Sequence, residues 1–128
     1  MTRSALITGA AALLLAAGTA NAQVTQENFL LRTTGDLVAL CGVSASDPKA
    51  GAAIHFCHGY YTGLDQFAEV TGRPFRNTLY CPPDGLKLSR DQVVGMLVEF
   101  HRKNPQYASE SPFDGIARWL VATWPCKQ

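Results

Sequence analysis

Charge of either sign is scarce in this chain and evenly divided. Asp, Glu, Lys and Arg make up 16% of the 128 residues, with 11 basic against 10 acidic side chains. There is no run of like charge and no basic stripe to follow a phosphate backbone, so nucleic acid is not an expected partner. Long apolar runs are missing too. The Ala5–Ala17 stretch falls short of the roughly 20 residues that a membrane-spanning helix needs. No segment alternates apolar and polar residues for long enough to build a sheet. No Gly-x-Ser-x-Gly, His-Glu-x-x-His, Walker or dinucleotide-glycine pattern occurs. No two carboxylates are spaced for acid–base work. Neither enzyme activity nor a cofactor is expected. Internal repeats are absent, and nothing of low complexity lies beyond the first residues.

What is present begins with an export signal. Residues 1–22 combine Arg3, the apolar run and Ala20-Asn21-Ala22 before Gln23, the pattern of a cleaved secretory leader. No cysteine sits at the cleavage site, so no lipid anchor is implied. The expected product is a soluble periplasmic domain of residues 23–128, with no membrane contact after cleavage and zero net charge once Arg3 is lost. Disorder is expected only near Gln23–Asn28 and at the C-terminal tip. Cys41, Cys57, Cys81 and Cys126 then lie in an oxidising compartment, where an even count reads as two disulfides.

Four helical signals follow in order. Thr33 or Thr34 caps the first, Leu37, Leu40 and Cys41 share a face, and Gly42 stops it. Asp47-Pro48 opens the second, where Ile54, Cys57, Tyr61, Leu64 and Ala68 form a stripe that Gly72 and Pro74 close. Gly59 and Gly63 lie on one side of it. Each costs about 1 kcal/mol in helix propensity relative to alanine. Close approach of another backbone would account for them, with a bend as the alternative. Residues 73–88 are punctuated by Pro74, Pro82, Pro83 and Gly85 and read as a structured loop, with a short extended piece at Thr78–Tyr80. Ser89 and Gln92 make a capping box for the third helix, with Leu88 stapled to Val93 and an inward face of Val93, Leu97 and Phe100. Asn104-Pro105 ends it. Ser111-Pro112 starts the fourth, with Ile116, Leu120 and Thr123 on one side, Trp119 and Trp124 adjacent, and Pro125 after it. The fold class is all-α, a small disulfide-stapled four-helix domain.

Four cysteines allow three pairings. If the second helix reaches Thr71, it ends roughly 20 Å beyond Cys57, and the extended loop from Gly72 is long enough to bring Cys81 back beside Cys57. Helices three and four would then leave Cys126 near Cys41. Chain geometry therefore favours Cys57–Cys81 and Cys41–Cys126.

His55, Cys57 and His58 cluster on the second helix. A metal site there would need a reduced Cys57 and a further ligand, so an ordinary helix surface is the expected reading and no metal is assigned. A cysteine nucleophile fails for the same reason. Asp84 in Cys81-Pro82-Pro83-Asp84-Gly85 reads as a turn acid. The aromatic side chains are mostly core at these spacings. The irregular stretches Arg73–Tyr80, which mixes arginine, tyrosine and phenylalanine, and Asn104–Glu110, which carries Tyr107, sit on a rigid scaffold, which suits protein recognition.

Five segments in order resemble the Rap/Tai family of bacterial immunity proteins, which guard the periplasm against type VI secretion toxins. They are Thr34–Cys41, the Phe56-Cys57-His58-Gly59-Tyr60-Tyr61-Thr62-Gly63 helix, Tyr80-Cys81-Pro82-Pro83 with Leu88–Val98, the Phe100–Pro105 helix end, and Trp124-Pro125-Cys126. The resemblance covers about residues 30–126 and rests on cysteines, glycines, prolines and aromatics of the scaffold. It implies an HdeA-like fold, two intramolecular bridges, often a homodimer, and inhibition of a cell-wall amidase effector by direct binding. It assigns no partner-binding residue. An acid-stress chaperone of the HdeA type and an envelope protein with another partner are the competing readings.

Overall fold

The computed structural model describes residues 23–70 and 79–127. Among the described residues four helices carry the domain: α1 Thr34–Cys41, α2 Ala50–Val70, α3 Arg90–Lys103 and α4 Pro112–Thr123. Single 3-10 turns lie at Glu27–Leu30 and Pro105–Tyr107. No strand occurs among the described residues, so the molecule is all-α, as its patterning predicts. The leader at 1–22, the Gly72 and Pro74 stop and most of the Arg73–Tyr80 loop lie outside the described residues.

The helix starts follow from local hydrogen bonding. Thr33 Oγ1 accepts from Asp36 N at 3.2 Å, and Asp36 Oδ2 accepts from Thr33 N at 3.0 Å. Two amide protons that no turn of helix can satisfy are thereby paired. Ser89 and Gln92 repeat this exchange at α3, at 3.2 and 2.8 Å. Ser111 accepts from Asp114 N at the head of α4, with Pro112 in its first turn. Asp47 caps the entry to α2 by accepting from Lys49 N at 2.7 Å. Residues 47–49 form a turn, however, and the helix proper begins only at Ala50.

α1 is short but central, packing against α2, α3 and α4. Its Leu37 and Leu40 are 1% and 0% exposed. Leu37, Cys41, Cys57, Val93, Leu97, Ile116 and Trp119 form the main core. Val24, Leu40 and Ala53 form a second cluster, with Phe29, Leu31 and Val43 against it.

Three expectations are corrected. The segment Gln23–Asn28 is ordered rather than loose. Val24 is buried, its N–H donates to Asp47 Oδ2 at 2.8 Å, and Asn28 Nδ2 donates to Asp36 Oδ1 at 2.9 Å. Gly59 and Gly63 are exposed, and an added Cβ at either meets nothing within 4 Å. The close approach belongs to Gly115 on α4, where an added Cβ would lie 2.9 Å from Thr34 Cβ and nearer still to Thr34 Oγ1 and Cγ2. The cysteines pair as Cys41–Cys57 and Cys81–Cys126, not as Cys57–Cys81 and Cys41–Cys126, and none is free. The physical reason is that α1 packs on α2 directly after the 42–49 connection, which sets Cys41 beside Cys57 with Cα atoms 5.2 Å apart. Cys81 instead meets the end of α4. Its N–H donates to Trp124 O at 2.7 Å, and its Cα lies 4.8 Å from that of Cys126. Closing loops of 16 and 45 residues is worth roughly 3 and 4 kcal/mol in the chain-entropy account.

Candidate recognition surfaces

The residues that raised a metal or nucleophile reading are not brought together. Cys57 is in a disulfide, and His55 points to solvent. His58 Nε2 lies 3.3 Å from Asp91 Oδ1, within ion-pair range but without hydrogen-bond geometry. Among the described residues no three His, Cys, Asp or Glu side chains are placed to hold a metal ion. Asp84 is exposed in the turn closed by Leu86 N donating to Pro83 O, which requires Gly85 at φ +73°. Its role as a turn acid fits that geometry.

The Asn104–Glu110 stretch is a built surface. Asn104 ends α3, and its Nδ2 donates back to Phe100 O at 2.8 Å. The 3-10 turn that follows lays Tyr107 parallel to Phe100, with ring centroids 6.3 Å apart and planes at 10°. The Arg118 guanidinium from α4 lies 4.6 Å from the centroid of the Tyr107 ring, within cation–π range. Arg118 Nε also donates to Glu110 Oε2 at 2.7 Å and Oε1 at 3.0 Å. That bond raises the Arg118 pKa further. Phe100, Tyr107, Arg118 and Glu110 thus hold one another in place at the surface.

The main chain of the same stretch has a second task. Ala108 O accepts from Gly35 N at 2.8 Å, Glu110 O from Thr34 N at 2.7 Å, and Ser111 O from Thr34 Oγ1 at 2.8 Å. The connection between α3 and α4 therefore satisfies amides at the start of α1 that would otherwise be buried without a partner. Thr34 is 1% exposed at this joint.

A second surface is apolar. Tyr61, Leu64, Tyr80, Ile116 and Leu120 line a groove of about 60 Å³ between α2 and α4. Burial, together with Asp65 and Tyr80, pushes the Tyr61 phenol up to about 12, so it stays protonated. Phe67 and Phe113 border the groove and are 59% and 40% exposed, so they are not the core residues their spacing implied. Nothing in the sequence distinguished them from Trp119, which is 1% exposed.

The fold and these surfaces define a small all-α scaffold, braced by two disulfides, with rigid surface patches and no metal-ligand cluster among the described residues. The model of the family described as Rap1a immunity proteins matches residues 33–126, and the chain belongs to that family. The match opens on the Thr33 cap and closes on Cys126. No curated protein matches the chain, and no solved structure does. Among the described residues no helix is long and apolar enough to cross a membrane.

Proposed function

We propose that this chain is an exported, non-catalytic immunity protein that neutralises a type VI secretion effector, a peptidoglycan amidase, by binding it directly in the periplasm. Membership of the immunity family carries this reading. The leader pattern at 1–22 supports export, and two disulfides belong to an oxidising compartment. A scaffold already ordered before binding loses little entropy on association. The Phe100–Tyr107–Arg118 stack supplies the residue types that dominate binding energy at protein interfaces.

The test is periplasmic coexpression of candidate amidase effectors with and without the chain, followed by lysis measurements. Rescue by the wild type is expected. Arg118→Glu and Tyr107→Ala should weaken rescue and pull-down by far more than the modest fall in thermal midpoint from the lost stack and Glu110 pair explains, with the folded domain retained. If no amidase effector is bound or rescued, the reading is wrong. If rescue is untouched by either substitution, the Tyr107–Arg118 surface is not the contact.

A further inference from the structure

His101 is a buried titratable group for which effector binding offers no role. It lies in the last turn of α3 and is 6% exposed. Its Nε2 is 3.0 Å from Gly115 O on α4. A carbonyl only accepts, so Nε2 must carry the proton. Nδ1 is then a bare lone pair, buried with no partner. A neutral ring tolerates this as a single unmade acceptor contact. A charged ring would present a buried N–H with nothing to receive it, a far less favourable arrangement.

The surroundings bear on the charged form in both directions. Burial lowers the His101 pKa, against an opposing contribution from the Gly115 carbonyl and the Glu110 carboxylate. Glu110 faces His101 from the connection, and Arg118 of α4 already holds that carboxylate. On α4, Asp114 accepts from Ser111. On α1, Asp36 is occupied by Thr33, Arg32 and Asn28. On α3 itself, Glu99 pairs with Arg102 and Lys103. The α2 residue His58 lies 3.3 Å from Asp91 at the opposite end of α3. Tyr107 of the connection is stacked on Phe100, which meets the His101 ring edge-on at 5.0 Å.

Gly115 is also the residue pressed against Thr34, so the His101 bond anchors the α4 side of the joint where Thr34 and Gly35 reach Glu110, Ala108 and Ser111. We infer that His101 is an acid-operated latch on this joint: neutral, it ties α3 to Gly115 and keeps the connection closed on α1; protonated, its buried Nδ1–H has no acceptor, so the ring leaves the site to hydrate that group, takes its Nε2–H from Gly115 O and releases the closure. Because the folded-state pKa is depressed, the stability the latch supplies is complete above the unfolded value of about 6.5 and is lost as pH falls through the folded value.

The test uses the full oxidised domain and NMR titration of the imidazoles. His101 should be the Nε2–H tautomer at neutral pH, with a midpoint below 6.5. As it titrates, amide exchange at Thr34 and Gly35, corrected for intrinsic pH dependence, should accelerate at least tenfold more than at Leu97. His101→Gln keeps a donor to Gly115 O but does not titrate, so the fall in urea midpoint between pH 6.5 and the His101 midpoint should be smaller than in wild type. A His101 midpoint at or above 6.5 overturns the inference. So does exchange at Thr34 and Gly35 that ignores the titration. Should His101→Gln not fold, the wild-type titration and exchange decide alone.

Discussion

Gly115→Ala should be among the most damaging single-methyl changes available in this domain. The new Cβ would lie 2.9 Å from Thr34 Cβ, with Oγ1 and Cγ2 closer still. Real side-chain carbons do not approach this closely, so α4 or Thr34 must move. Thr34 cannot turn away freely, because it is 1% exposed and its Oγ1 donates to Ser111 O. Moving α4 instead strains His101 Nε2 to Gly115 O and the amide bonds of Thr34 and Gly35. Overpacking costs about 1–3 kcal/mol, and a buried hydrogen bond left unmade costs about 1–3 kcal/mol more. Alanine returns up to about 1 kcal/mol of helix propensity. The expected net loss is about 1–5 kcal/mol, with the thermal midpoint falling by roughly 4–8 °C for each kcal/mol in a domain of this size. Gly59→Ala and Gly63→Ala provide the control with opposite sign. Both sites are helical and exposed, with nothing within 4 Å of a new Cβ. Each should gain about 0.5–1 kcal/mol. Urea and thermal unfolding of the three variants measure this directly. If Gly115→Ala is as stable as Gly59→Ala, the helix contact described at Thr34 is wrong.

Three further outcomes follow from the same geometry. Peptide mapping of the oxidised protein should recover Cys41–Cys57 and Cys81–Cys126; replacing the second pair by serines should cost roughly 4 kcal/mol by urea unfolding, with a crossed linkage refuting the assignment. Asp36→Ala should cost about 1–2 kcal/mol through loss of the α1 capping box. Burial alone would raise the Asp36 pKa, but bonds from Asn28, Thr33 and Arg32 outweigh it and leave it lowered. Its stabilisation should therefore be present above the ordinary value of 3.8 and lost as pH falls through the folded value, while the Asp36→Ala variant lacks that acid-side loss. Hydrogen bonds from Arg102 and Lys103 hold Glu99 at about 2, which carbon-detected NMR titration should reproduce. Glu99→Gln should nevertheless leave the thermal midpoint unchanged, because the pair sits in water.

The helices were legible because their starts are written locally. Thr33 or Thr34, Ser89 with Gln92 and Ser111 with Pro112 each signal a cap within four positions of chain, and the structure selects Thr33 for the first. The disulfide pairing was not legible, because it depends on the path taken by residues 42–49 and on where α4 ends, and neither has a local signature. Glycine shows the same limit. Gly59, Gly63 and Gly115 are alike in a helical pattern, and only the facing residue separates them, which is Thr34 for Gly115 and open space for the other two. The order of the N-terminal segment was missed because Val24 is held by the side chain of Asp47, far along the chain. The Asn104–Glu110 stretch was legible as an irregular connection ended by Asn104-Pro105, but the contribution of Arg118 was not, since it reaches Tyr107 and Glu110 from α4.

The connection between α3 and α4 divides its work between main chain and side chains. Its carbonyls at Ala108, Glu110 and Ser111 close the start of α1, whichever side chains those positions carry. Its Tyr107 side chain, with Phe100 of α3 and Arg118 of α4, forms the half-buried surface stack. A substitution at Gln106 or Tyr107 therefore changes what the surface presents and leaves the bonds to Thr34 and Gly35 in place. The framework elements inside the matched span, from the Thr33 cap through the two bridges to Cys126, fix the fold. An immunity scaffold built this way can alter its partner by changing surface side chains while its caps and disulfides stay constant.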